Sequence, residues 1–344
     1  SAKESLCNGI DTFFSQSVLS FFMTGNFYVH LYILITGYVT AFQICRMQDN
    51  LEKFLPFAFK RYMKLAFPLL VFCLLMWIGS FILSALAFDS NTFFNALKCG
   101  LFKILFYGNG DYGNHFWMLN IIFLGGFAVS LFSVCSFNFS TRKMIRLSAL
   151  VVFILVMQKT ITGMLFASCF NGALLFFLVK EMEDIEIKHR TIVFTILLLL
   201  GIFFGAYPSG VKPDNYYRFF ILPVESNLSS MFWHFIGAFL VFLSVSQLNA
   251  LQRVFELKGV VKMAKYSYSF YILHLVVIEF LLRVINKIVK VYEVNEILIS
   301  LMGLPFAIVI TLTASYVFEN LFVLKFNRKI NTLYSVSSEK KVQQ

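Results

Sequence analysis

Apolar residues in this chain cluster in runs rather than alternating or recurring on one face. Nine such segments stand out, at Phe27–Cys45, Leu65–Phe88, Phe116–Phe137, Leu147–Met157, Thr160–Val179, Thr191–Tyr207, Ser229–Val245, Ser267–Leu282 and Ile297–Phe318. Most approach the ~20 residues that a helix needs to cross a bilayer. Leu147–Met157 is too short to cross alone and reads as a tilted half-span or as the lead into the next segment. Thr92–Tyr107 mixes Phe, Leu and Ile with Lys98 and Lys103, the pattern of a helix lying on the membrane surface. The pattern predicts an all-α, polytopic bundle of about nine spans. The predicted division is an extracytoplasmic segment at 1–26, one membrane domain at 27–323 and a cytoplasmic tail at 324–344.

Composition sharpens this picture. Of 344 residues 59% are apolar and 14% charged, with a mean hydropathy of +0.77. So few charges do not cover that much apolar surface in water, so a soluble domain is excluded. The net charge of +11 would suggest nucleic acid in a soluble protein. Here it follows from loop chemistry, and no nucleic-acid partner is expected. Alternate loops hold 20 and 9 of the 29 Lys and Arg. The richer set is cytoplasmic by the positive-inside rule, which places the N-terminus outside and the tail inside. An outside N-terminus needs a signal or a preceding span, and the first 26 residues carry no signal-peptide pattern. The expectation is an upstream helix before Ser1.

Ionisable groups in a bilayer are costly and therefore mark candidate sites. With this topology His30, His115 and His234 lie near the outer face, and His274 lies near mid-membrane. Three imidazoles near one face suit a general base, although each also suits a helix end or an interfacial anchor. No HxH or HExxH spacing points to a metal. In FKRYMKLAFP, Arg61 and Lys64 share a helix face and either clamp a phosphate-bearing substrate or anchor the span. Thr36 and Gly37 permit close helix approach. Ser267, Ser269, His274 and Glu279 make one apolar segment polar enough to face the bundle interior or a wet cavity. Cys7 and Cys99, in outer loops, form a disulfide or stay as thiols.

In this order the segments resemble the acyltransferase 3 family of membrane O-acyltransferases. VHLYILITGY is similar to its V-D-x-F-F-x-x-S-G-F/Y motif, with Thr36, Gly37 and Tyr38 at the hydroxyl, glycine and aromatic places. Arg61, Lys64 and Pro68 resemble its RxxR…P motif, and Trp117 and Leu119 its W-x-L-x-x-E segment. Gly172 resembles a small-residue span. Ser267, Tyr271 and His274 match S-Y-x-x-Y-x-x-H, and Glu319 matches a terminal S-x-x-x-E-x-P segment.

The resemblance implies transfer of an acyl group, acetyl in the first instance, from cytoplasmic acyl-CoA to a hydroxyl of a carbohydrate or lipid acceptor at the outer face. Acyl-CoA would be a substrate, with no bound cofactor, and Arg61 and Lys64 would meet its phosphates. Several motif places depart from the family. His30 stands for an acid, Ile122 for a Glu, Lys64 for an Arg and Leu321 for a Pro. Relatives carry their principal catalytic His on a helix before the first segment found here. The alternative is a non-catalytic or truncated protein, transporter- or receptor-like, on the same bundle.

Overall fold

The computed structural model describes residues 17–340 except 23, 48–51, 53, 83–91, 113, 137, 184, 210–212, 214 and 293–295. Among the described residues the regular structure is helical throughout. The helices are α1 (Gly25–Cys45), α2 (Phe54–Ile82), α3 (Phe93–Lys98), α4 (Trp117–Cys135), α5 (Thr141–Met157), α6 (Ile161–Met182) and α7 (Arg190–Gly205). They continue with α8 (Ser226–Gln247), α9 (Asn249–Phe255), α10 (Lys258–Ala264), α11 (Ser267–Tyr292), α12 (Glu296–Phe318) and α13 (Leu324–Lys340). Two π-helical segments, Cys99–Tyr107 and Glu319–Val323, join α3 to the loop before α4 and α12 to α13.

Among the described residues, seven helical stretches are long and apolar enough to cross a membrane. Six lie in α1, α2, α4, α6, α8 and α11, and the seventh runs from Pro305 to Thr332. The apolar helix α7 has 16 residues. The short segment expected at Leu147–Met157 is the end of a 17-residue helix, α5, whose first turns carry Arg142, Lys143 and Arg146. Those charges hide the helix from a reading based on apolar runs. Most of the 1–26 segment, Cys7 included, lies outside the described residues.

The chain divides into two compact units. The first comprises Ser1–Leu51 and Leu124–Val254, the second Glu52–Phe123 and Phe255–Gln344. In the first, α1 packs on α6, α7 on α8 and α5 on α6. Backbone contact sets the α1–α6 distance. A Cβ on Gly37 would lie 1.8 Å from the Cys169 carbonyl oxygen, and one on Gly172 would lie 2.0 Å from that of Leu34. Only a residue without a side chain allows this approach, and dispersion between helices rewards it in a bilayer.

In the second unit α11 packs on α12, and the segment predicted to lie on the membrane packs along α2. Ala96, Cys99, Ile104 and Leu105 are buried there, and Cys99 meets Cys73 of α2. Hydroxyls inside the spans are satisfied locally, as where Thr36 donates to Tyr32 O (3.0 Å), Ser130 to Gly126 O (2.7 Å) and Thr311 to Ala307 O (2.6 Å). Such i−4 bonds let a hydroxyl sit in an apolar helix without an unmet donor.

Candidate functional site

The second unit gathers most of the motif residues. Arg61 donates from Nη2 to the carbonyl of Ile122 (3.3 Å), so the backbone receives this cation. Lys64 is half-buried one turn on. Pro68, which has no N–H to donate, follows within the same helix. Tyr268 supplies a donor to this stretch, its hydroxyl meeting the carbonyl of Leu65 at 2.8 Å.

Tyr271 donates its hydroxyl to the carbonyl of His115. The rings of His115 and His274 lie 5.4 Å apart, and His115 rests on Phe116 at 3.9 Å. His274 Nδ1 lies 2.7 Å from the carbonyl of Tyr271. A carbonyl only accepts, so Nδ1 carries a proton, and the atom through which the ring can act as a base is Nε2. The ring is partly exposed and therefore reachable. The ring nitrogens of His115 are buried and make no well-aligned hydrogen bond. Burial first, and then the neighbouring His274, lower its pKa from 6.5 to about 4 against a smaller opposing effect of the backbone at Ile272. Ser269, fully buried, donates to the Glu319 carboxylate at 2.5 Å. Ser267, by contrast, is exposed and bonds to Ala264 O, and Glu279 is exposed on α11. Trp117 is 38% exposed.

The first unit contains another polar cluster, around His30 and His234, both 0% exposed. His30 Nδ1 lies 2.6 Å from Ser168 Oγ, and Ser168 also donates to Met164 O at 3.1 Å. His234 Nε2 lies 2.8 Å from the carbonyl of Tyr207, so it holds the proton and Nδ1 carries the lone pair. His30 Nε2 and His234 Nδ1 have no partner. The two side chains are near enough for a charge on one to be felt by the other. Each unmet buried nitrogen costs about 1–3 kcal/mol, which makes the pair a candidate site in its own right. Thr36 and Gly37, on the same helix as His30, serve the helix backbone and the α6 contact.

The three imidazoles expected together are distributed over both units: His30 and His234 share the first, while His115 pairs with His274 in the second. Sequence reasoning singled out Ser269 as an inward polar group and missed Ser168 and Tyr207 as partners. A lone serine in an apolar run carries no signal of its own, and only the fold brings Ser168 to a residue 138 positions away.

A multi-helix bundle with apolar spans and enclosed polar clusters defines an integral membrane protein with internal chemistry. The chain belongs to the acyltransferase 3 family: that family's model, an acyltransferase domain, matches residues 7–320. No curated protein and no solved structure gives a significant match. Membership carries membrane acyltransferase activity, with an acyl donor and an acceptor as partners.

Proposed function

We infer that the protein is an O-acyltransferase that moves an acyl group, acetyl in the first instance, from cytoplasmic acyl-CoA to a hydroxyl of a carbohydrate or lipid acceptor at the outer face. The observation that carries this reading is His274. Its Nδ1–H is committed to Tyr271 O at 2.7 Å, which leaves a reachable basic Nε2. In the reaction Nε2 takes the acceptor's hydroxyl proton while that oxygen attacks the thioester carbonyl. The C–S bond breaks, and the departing CoA thiolate takes the proton back from the imidazolium. His115 stays neutral beside it because its pKa is lowered to about 4, so the imidazolium on His274 meets no second positive charge. Arg61 and Lys64 hold the donor's phosphates as charge-assisted partners.

The test supplies labelled acyl-CoA and hydroxyl-bearing acceptors to membranes containing the full-length protein. Label should pass to an acceptor, and Arg61→Ala with Lys64→Ala should raise the KM for acyl-CoA by about 10–100-fold, the worth of one or two charged hydrogen bonds. An unchanged KM removes these residues from the donor site. A non-catalytic, transporter- or receptor-like role is favoured by one observation, the buried Ile122 where relatives carry a carboxylate. Absence of transfer with every donor would select that role.

A further inference from the structure

The segment 93–107 runs antiparallel to α2, and its contacts give the register. The ring of Phe93 lies 5.4 Å from that of Trp77. Gly100 meets the main chain of Leu70, where an added Cβ would lie 2.5 Å from the Leu70 Cα. The Tyr62 hydroxyl donates to Leu101 O (2.9 Å), and its ring lies 6.3 Å from that of Phe106. As the segment advances from Phe93 to Phe106, its partner on α2 therefore retreats from Trp77 to Tyr62. Cys99 falls between Phe93 and Gly100, and Cys73 falls between Trp77 and Leu70, on the face that Leu69 and Leu70 present one turn earlier. This register sets the two sulfurs against each other.

The side chains bear that out. Cys73 and Cys99 are hydrogen-bonded to each other, both are thiols, and both are 0% exposed. A buried thiol needs no second sulfur in order to pack. This pair differs because it sits beside a main-chain contact too close for a Cβ. Two cysteines can be bridged without backbone movement only where their main chains run close together.

We infer that Cys73 and Cys99 are a modification site, oxidised by a peroxide to a disulfide that fixes the segment 93–107 on α2. The bridge takes the place of the Cys7–Cys99 pairing considered from the sequence, and it does not rest on the acyl-transfer reading. Cys99 is the attacking sulfur. It accepts hydrogen bonds from Cys73 and from the Asp111 N–H, and both favour its thiolate. Lys103 and the Asp111 carboxylate pair at 2.8 Å and offset each other beside it. Cys99 gives up its proton, and its thiolate attacks one peroxide oxygen. The O–O bond breaks, and the departing hydroxide takes up that proton as water. Cys73 then attacks the Cys99 sulfenic sulfur, so that the S–S bond forms and the hydroxyl leaves with the Cys73 proton as a second water. Two thiols lose two electrons in all, and one peroxide is reduced to two waters. A peroxide is small and uncharged, as an oxidant must be to reach sulfurs enclosed at a helix seam. Tyr62, which holds the far end of the segment, directly follows Arg61, so the bond fixes the wall beside that cation.

The test treats membranes containing the full-length protein with hydrogen peroxide or with dithiothreitol. Each sample is then unfolded in detergent with excess N-ethylmaleimide and digested with trypsin without reductant. Cleavage after Lys64, Lys98 and Lys103 puts Cys73 and Cys99 on separate peptides, 65–98 and 99–103. After peroxide these two should appear linked, lighter by two hydrogens than their sum, at a level at least about tenfold above the reduced sample. Reduction should also lower the melting midpoint of the oxidised protein by a few degrees, and it should have no such effect in Cys73→Ala or Cys99→Ala. Recovery of both cysteines as maleimide adducts after peroxide would overturn the proposal. So would a sulfinic acid on Cys99 without linkage, or Cys99 linked to another cysteine of the chain. Linkage with an unchanged midpoint would overturn the fixing of the segment. Where neither variant folds, the peptide map of the unaltered protein decides alone.

Discussion

In the first unit His30 and His234 are fully enclosed, each with one nitrogen committed to a hydroxyl or carbonyl and one without a partner. In the second, His274 is equally well oriented by Tyr271 but remains partly exposed, and Arg61 and Lys64 belong to the same unit. The contrast separates two things that an intramembrane histidine provides. An enclosed imidazole with fixed tautomer holds helices together and reaches a substrate only if those helices part. A reachable one with the same kind of backbone anchor meets a substrate without any opening.

That contrast breaks most directly at His274. His274→Ala should lower acyl transfer by about 10²–10⁴-fold, the usual worth of a general base, with little change in melting temperature. His234→Ala should do the reverse. It strands the Tyr207 carbonyl and opens a cavity, so the protein should lose at least about 1–3 kcal/mol of stability, while the folded fraction keeps its turnover number. Transfer assays on detergent-purified protein, normalised to the folded amount, read both effects. If His234→Ala abolished turnover and His274→Ala left it intact, the roles assigned to the two units would have to be exchanged.

The packing side of the comparison is sharpened by glycine. Gly172→Ala drives a methyl to 2.0 Å from a backbone oxygen of α1. No side chain can move aside there, and overpacking of this kind costs about 1–3 kcal/mol or more. Gly259→Ala, in α10 of the second unit, has nothing within 4 Å and should instead stabilise its helix by about 0.5–1 kcal/mol. Thermal unfolding followed by Trp fluorescence should show a lowered midpoint for the first variant and an equal or raised one for the second.

The apolar runs made the membrane class and most span positions legible, because a bilayer imposes length and polarity on every segment that crosses it. Gly37 was legible as a close-packing residue for the same reason. The sites were only half legible. Arg61, His274 and Glu319 announced themselves as polar groups in apolar surroundings, but their pairings did not. Arg61 is received by a main-chain carbonyl, which leaves no pattern in sequence, and Ser269 was legible as a polar group while its pairing with Glu319, 50 residues on, was not. His30, His115 and His234 looked alike because each lies near the end of an apolar run. Which imidazoles meet depends on helix packing over more than 100 positions, which run length does not encode. The helix over Thr141–Met157 was half hidden because three cations interrupt its apolar face.

The smallest effect concerns His115. Its pKa in the folded protein is lowered from 6.5 to about 4 by burial and by His274, so the unfolded chain binds its proton at a higher pH than the folded one does. Stability linked to this residue is therefore complete above about pH 6.5 and declines as pH falls from there to about 4. Below that it declines no further, because both states are then protonated. His115→Asn should flatten that part of the curve of melting temperature against pH without shifting the plateau's upper edge elsewhere. A transfer assay separates the two members of this pair. Since His115 stays neutral across the working range, kcat/KM should persist in His115→Asn and be lost in His274→Gln. Activity that vanished with His115 instead would make it the base and reduce His274 to its neighbour.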